Sequence, residues 1–240
     1  MTTEAVGYSL QDQVATIRID DGKRNALSAG VLRQIYHAFD RAEADRAIVV
    51  LTGRESVFSA GFDLHVMKRG GIDALRMLRL GYALPARVLA YPYPVIAACN
   101  GHSFAMGVFL MLAADYVIGS RGDFKIAANE VAIGLTMPRI AAAMLRHRLN
   151  PASFQRAVTL AEQFDVDAAL RAGFFDDTVE PGELMSCATK YASKYSELDL
   201  LAHAASKRRI RAALIREIRL GTWLDLFDAL LLGLRGRRPR

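Results

Sequence analysis

The sequence predicts an α/β protein that ends in helices. Three observations carry this expectation. Short, continuous apolar runs such as Ala47-Ile48-Val49-Val50-Leu51-Thr52 and Val95-Ile96-Ala97-Ala98-Cys99 read as strands covered on both faces. The middle of the chain repeats a strand, a turn and a helix, which is the pattern of layered α/β folds. From Pro138 onward the apolar spacing is almost entirely helical.

The elements follow in order. Tyr8 to Leu10 and Val14 to Ile19 alternate apolar and polar residues, as a half-buried hairpin does. Asp20-Asp21-Gly22-Lys23-Arg24-Asn25 is a turn. Ser28 can cap a helix to about Ala44, with Val31, Ile35 and Phe39 on its apolar side. After the strand at 47–52, Arg54 to Leu64 reads as a loop entering a helix. Asp73 can cap the next helix, from Ala74 to about Leu84, and Pro85 should end or kink it because proline lacks the N–H that a helix interior needs. Tyr91-Pro92-Tyr93-Pro94 is a stop. The strand at 95–99 leads to a helix over Phe104 to Ala114 and a strand over Tyr116 to Gly119. Helices are then expected over Ile140–Arg148, Pro151–Phe164, Asp167–Ala172, Glu183–Tyr195 and Leu198–Leu234. Trp223 to Leu234 is so apolar for a terminal segment that it should bury itself against the domain or a neighbouring subunit.

Composition bounds the function. The 240 residues are 52% hydrophobic and 23% charged, ordinary for a globular protein, with no linker-like stretch. Two cysteines, Cys99 and Cys187, are too few for a disulfide framework and lack metal-ligand spacing, so no metal site and a reducing cytoplasm are expected. No signal peptide is read at Met1-Thr2-Thr3-Glu4. The most apolar segment, Phe104 to Gly119, contains Asp115 and is short for a membrane span. The net charge of +6 gathers late, at Lys207-Arg208-Arg209, Arg211, Arg216, Arg219 and Arg235 to Arg240. That pattern reads as a solvated helix face with a frayed tail. Zinc-finger spacing and aromatic-basic signatures are missing, so a nucleic-acid partner is not expected.

Two glycine-marked turns stand out, Phe58-Ser59-Ala60-Gly61-Phe62-Asp63-Leu64 and Asn100-Gly101-His102-Ser103-Phe104-Ala105-Met106-Gly107. A strand-like run precedes each. Glu130, in Ala127-Ala128-Asn129-Glu130-Val131-Ala132-Ile133-Gly134, is the acid placed to do chemistry downstream of them. Two backbone N–H groups aimed at one carbonyl oxygen, with one carboxylate beside it, suit proton transfer next to a thioester.

These segments, in this order, resemble the crotonase, or enoyl-CoA hydratase/isomerase, superfamily from Asn25-Ala26-Leu27-Ser28 to about Val179-Glu180-Pro181. The resemblance implies a crotonase-like spiral of ββα units over residues 1–185 and a C-terminal helical trimerisation region over 186–240. It also implies an acyl-CoA thioester as substrate, no cofactor beyond the coenzyme A of that substrate, and a homotrimer or dimer of trimers. The oxyanion hole would use the backbone N–H groups of Phe62 and Met106. Lys23 and Arg24 sit where the family places nucleotide contacts. Ala26, Ala60, Gly61 and Gly107 would contact the ligand, and Phe109, Leu135 and Met137 would line the acyl chain.

Two departures narrow the chemistry. The family's second segment usually reads N-G-x-A-x-G-G-G-x-E-L, and Met106 stands where it has a glycine. Phe109 stands where its hydratases carry a glutamate, and a phenyl ring cannot transfer a proton. One carboxylate suffices to move a double bond from the 3 to the 2 position, because it can take a proton at C2 and return it at C4. The resemblance therefore favours an isomerase using Glu130. A hydratase, another thioester reaction such as hydrolysis or decarboxylation, and a non-catalytic acyl-CoA-binding protein stay open. Asp63, Asp115, His65 and His102 read as structural or loop residues.

Overall fold

A computed structural model describes residues 4–234. Its main sheet holds six strands: β1 (Val6–Gln11), β2 (Val14–Ile19), β4 (Ile48–Thr52), β7 (Val95–Cys99), β9 (Tyr116–Ser120) and β11 (Asp177–Val179), in that spatial order. β1 and β2 form the expected antiparallel hairpin, and every other pair is parallel. β4 and β7 are buried at every residue, as their unbroken apolar runs require.

Three short strands follow strands of the main sheet and pair among themselves: β5 (Ser56–Ser59), β8 (Gly101–Phe104) and β10 (Ile126–Ala127). A two-stranded piece joins β3 (Ala26–Leu27) to β6 (Gly61–Phe62). The sequence predicts a loop over 54–64 and a bare turn at 100–103. Both in fact carry strands, too short to show a period of two. Glycine permits the tight layering. A Cβ on Gly101 would lie 2.0 Å from the carbonyl carbon of Ser56, so only glycine fits between β5 and β8.

Helices complete each ββα turn. α1 (Ala29–Ala44) starts at Ser28, whose hydroxyl accepts from the Val31 N–H at 3.3 Å. α2 (Leu64–Arg69) is capped by Asp63 through the N–H groups of His65 and Val66. α3 (Gly71–Leu89) departs from expectation: it begins at Gly70 rather than at an Asp73 cap, and Pro85 lies inside it. Leu84, Val88 and Leu89 are buried around that proline. Core packing of this face therefore outweighs the single backbone bond that Pro85 cannot make. α4 (Met106–Leu112) is wholly buried and starts two residues later than predicted, after β8.

The C-terminal part contains α5 (Arg139–Arg148), α6 (Pro151–Leu160), α7 (Val166–Ala172), α8 (Leu184–Ser196) and α9 (Leu200–Leu234). It is not purely helical, because β11 returns to the main sheet beside β9. α8 covers one face of that sheet, with Leu184, Ala188 and Ala192 against Ile48, Val50, Ile96 and Ala98. α9 lies along α3 and α5.

Lys207 and Arg211 correct the view of a solvated basic face. Both are buried, and both bind Asp115, Lys207 Nζ at 2.5 Å and Arg211 Nη2 at 3.0 Å. Asp115 also accepts from the Val95 N–H at 2.7 Å, so this cluster ties α9 to the start of β7. Arg208 and Arg209 are exposed as expected, and Arg235 to Arg240 lie outside the described residues. None of the described helices is long and apolar enough to cross a membrane.

Candidate active site

Asn25 fixes the first wall of the site. Its backbone is left-handed, with φ 53°, a conformation that asparagine tolerates. Its Nδ2 donates to the carbonyls of Ile19 at 2.7 Å and Phe58 at 3.1 Å, and its own carbonyl accepts from the Ser59 hydroxyl at 2.8 Å. The 20–25 turn is thereby pinned to β5. Ala60, next in line, donates its N–H to the Arg24 carbonyl at 3.0 Å.

The two glycine-marked turns meet. Gly61 has φ 83°, and a Cβ there would stand 2.9 Å from the Ala105 Cβ and 3.3 Å from the Met106 nitrogen. Phe62, one residue on, and Ala105, which precedes Met106, line the same cavity. Ala105 itself is strained, with φ 48° and ψ −123°. The Met106 N–H opens α4, where the first turn of a helix leaves its amides without intrahelical partners. Met106 is fully buried, and its side chain belongs to the core and not to the cavity wall. It does not narrow the pocket.

This cavity, of about 400 Å³, opens beside the two turns. Of the residues singled out from the sequence, Ala60, Phe62, Phe109, Glu130, Leu135 and Met137 line it. Gly61 and Gly107 act behind the wall. A Cβ on Gly107 would lie 2.7 Å from the Ser59 carbonyl oxygen, so this glycine lets α4 approach β5. Ala26 pairs with Gly61 in the β3–β6 ladder. Lys23 and Arg24 are exposed on their turn and do not line the cavity. His102 also lies off the cavity: its Nδ1 accepts from the Lys125 N–H at 3.0 Å.

Glu130 leaves β10 and opens a single 3₁₀ turn, Val131–Ile133, closed by left-handed Gly134 at φ 82°. Its carbonyl accepts from the N–H groups of Ile133 and Leu135, which anchors the backbone. The side chain faces the cavity at 6% exposure, and its Oε2 has no hydrogen-bond partner. Burial penalises the ionised form and pushes this carboxyl up to about 7.

Sequence reasoning missed a polar group on the far side. Tyr82 from α3, Arg139 from α5, and Asp225 and Asp228 from α9 line the same cavity. Asp225 caps α5: Oδ1 accepts from the Arg139 N–H at 3.1 Å and Oδ2 from the Ile140 N–H at 3.1 Å. Arg139 Nη1 bridges Asp225 at 2.9 Å and Asp228 at 2.6 Å. The available signal was a pair of acids three residues apart in an otherwise apolar helix, Trp223 to Leu231. Glu130 is therefore not the only acid at the cavity. Among the described carboxylates that line it, Glu130 alone keeps a buried oxygen without a hydrogen bond.

Fold and cavity together define a protein of repeated ββα units that encloses an apolar ligand site with one buried, readily protonated carboxyl. A family model described as enoyl-CoA hydratase/isomerase matches residues 9–221. A probable enoyl-CoA hydratase of Mycobacterium avium is 30% identical over 202 residues, which cover 83% of this chain and 78% of that protein. The solved structure of an enoyl-CoA hydratase/isomerase family protein from Pseudomonas syringae superposes with a TM-score of 0.92 at 39% identity, covering 94% of this chain and 98% of that one. A Mycobacterium tuberculosis protein described as an enoyl-CoA isomerase superposes at 0.88 with 40% identity, over 92% and 97% of the two chains, and a second structure of that same protein, described as a probable enoyl-CoA hydratase, superposes at 0.92 with 38% identity, over 97% and 100%. The chain belongs to the enoyl-CoA hydratase/isomerase family, and its fold is the crotonase fold.

Proposed function

We propose that this protein is an enoyl-CoA isomerase that converts a 3-enoyl-CoA to a 2-enoyl-CoA, with Glu130 as its only acid/base. The observation that carries this reading is the state of the cavity carboxylates. Glu130 has a free, buried oxygen and a pKa near neutrality, as a group that must take and return a proton requires. Asp225 is occupied by two backbone N–H groups and a guanidinium, and Asp228 by the same guanidinium. Position 109, where a second glutamate would activate water, holds buried Phe109.

The steps balance with one base. The thioester oxygen lies against the Phe62 and Met106 N–H groups. These stabilise the negative charge that develops when Glu130 removes a proton from C2. Electrons shift through the dienolate, the same carboxyl protonates C4, and the double bond has moved. One such amide donor is worth on the order of 10²–10³ in rate. The reaction uses no cofactor beyond the substrate's own coenzyme A, whose phosphates would reach outward to the exposed Lys23 and Arg24.

Hydration is the second reading, favoured by the names of curated relatives and by Asp225 and Asp228 at the cavity. A paired assay separates them. Purified protein is given a 3-enoyl-CoA or a 2-enoyl-CoA, and products are followed by mass and ultraviolet absorbance. Conversion of the first without hydration of the second is expected. Water addition to the second would overturn the isomerase assignment.

Self-association accompanies this activity. Leu226 and Ala229 pack on the core, but Trp223 and Phe227 on the same helix are 66% and 58% exposed. A homotrimer, or a dimer of trimers, would cover them. Sedimentation of the wild type against Trp223→Asp and Phe227→Asp tests this, with smaller species expected for the variants.

A further inference from the structure

Tyr82 is 8% exposed and stands edge-on to Phe62, with 5.6 Å between ring centroids. It lines the cavity, yet its hydroxyl makes no hydrogen bond with any described residue. Burial, and then the neighbouring carboxylates of Asp225 and Glu130, hold the phenol protonated, so it is a standing donor. Asp225 supplies the matching acceptor. Its oxygens take three N–H bonds from α5, and a carboxylate has about four acceptor positions.

A hydrocarbon chain filling this space would strip water from the Tyr82 hydroxyl and return nothing, which is costly for a buried polar group. A ligand carboxylate would face Asp225 and Asp228, which outnumber Arg139. A hydroxyl group matches both in chemistry, because it can accept from Tyr82 and donate to Asp225, which line the same cavity. We propose that Tyr82 and Asp225 form a subsite for a hydroxyl group on the acyl chain, so that the preferred substrates are hydroxylated acyl-CoA thioesters. This rests on the thioester assignment above and adds the substrate class.

The test is calorimetric and needs no turnover. Saturated acyl-CoAs of equal chain length, one plain and the others with a single hydroxyl at successive carbons, are titrated into the full-length wild type and Tyr82→Phe. The substitution keeps the ring against Phe62. For one hydroxyl position the wild type should bind about tenfold tighter than it binds the plain chain, the value of one net hydrogen bond. In Tyr82→Phe that ratio should collapse towards one. Equal wild-type affinity for plain and hydroxylated chains, or a ratio that survives in the variant, would overturn the subsite and leave the thioester reading standing. Failure of every acyl-CoA to bind would overturn both.

Discussion

Replacing Glu130 by glutamine should remove a pH-dependent cost from the folded protein. Burial moves this carboxyl from an ordinary value of 4.5 to about 7. At about 1.4 kcal/mol per unit, that shift corresponds to roughly 3 kcal/mol of linkage. The sign follows from which state binds the proton more tightly. The folded chain does, so its stability is fully present below the unfolded pKa. Stability is lost as pH rises from about 4.5 through 7, and above that it levels off. A glutamine side chain cannot ionise and carries no such loss. Urea unfolding of wild type and Glu130→Gln at about pH 5 and about pH 8 should show the variant gaining roughly 2–3 kcal/mol relative to wild type across that interval. Catalysis should change in the opposite sense. Glu130→Gln should lose about 10²–10⁴ in kcat. Wild-type kcat/KM should rise with pH and level off above about 7, as the base form appears. Parallel stability–pH curves for the two proteins would refute the buried, perturbed carboxyl. Full activity in Glu130→Gln would refute its role as the base.

Three further outcomes test the surrounding design. Gly61→Ala should push the first turn away from Ala105 and Phe104, lowering kcat about 10²-fold and stability by about 1–3 kcal/mol in thermal unfolding. Phe109→Glu places a second carboxyl at the cavity and should produce measurable hydration of 2-enoyl-CoA. It should also cost about 3–5 kcal/mol of stability, because Phe109 is fully buried. Asp225→Ala removes the cap of α5 and should cost about 1–2 kcal/mol by urea titration, with a raised KM as the cavity wall loosens.

Much of this molecule was written in local pattern. The unbroken apolar runs at 47–52 and 95–99 could only be strands covered on both faces, and they are. Ser28 announced its cap, because a short oxygen-bearing side chain before an apolar helical pattern can hold the first free N–H groups, whereas Asp73, read the same way, lies inside the first turn of α3. Glu130 was legible because it followed the two glycine turns in a fixed order. Tertiary structure decided the rest. Strands of two to four residues, such as β5, β6, β8 and β10, carry no readable period, and they exist through parallel pairing with distant segments. Pro85 stays inside α3 because its neighbours are buried, which no local rule records. Lys207 and Arg211 turn inward because Asp115, 92 residues from Lys207, is there to receive them. Tyr82 and Asp225 reach the cavity of Glu130 because α9 folds back along α3 and α5. Hydrophobic spacing and capping are properties of neighbours in the chain, so the sequence determines them. A cavity is a property of surfaces brought together from segments far apart in the chain, and only the packed chain determines which polar groups share it.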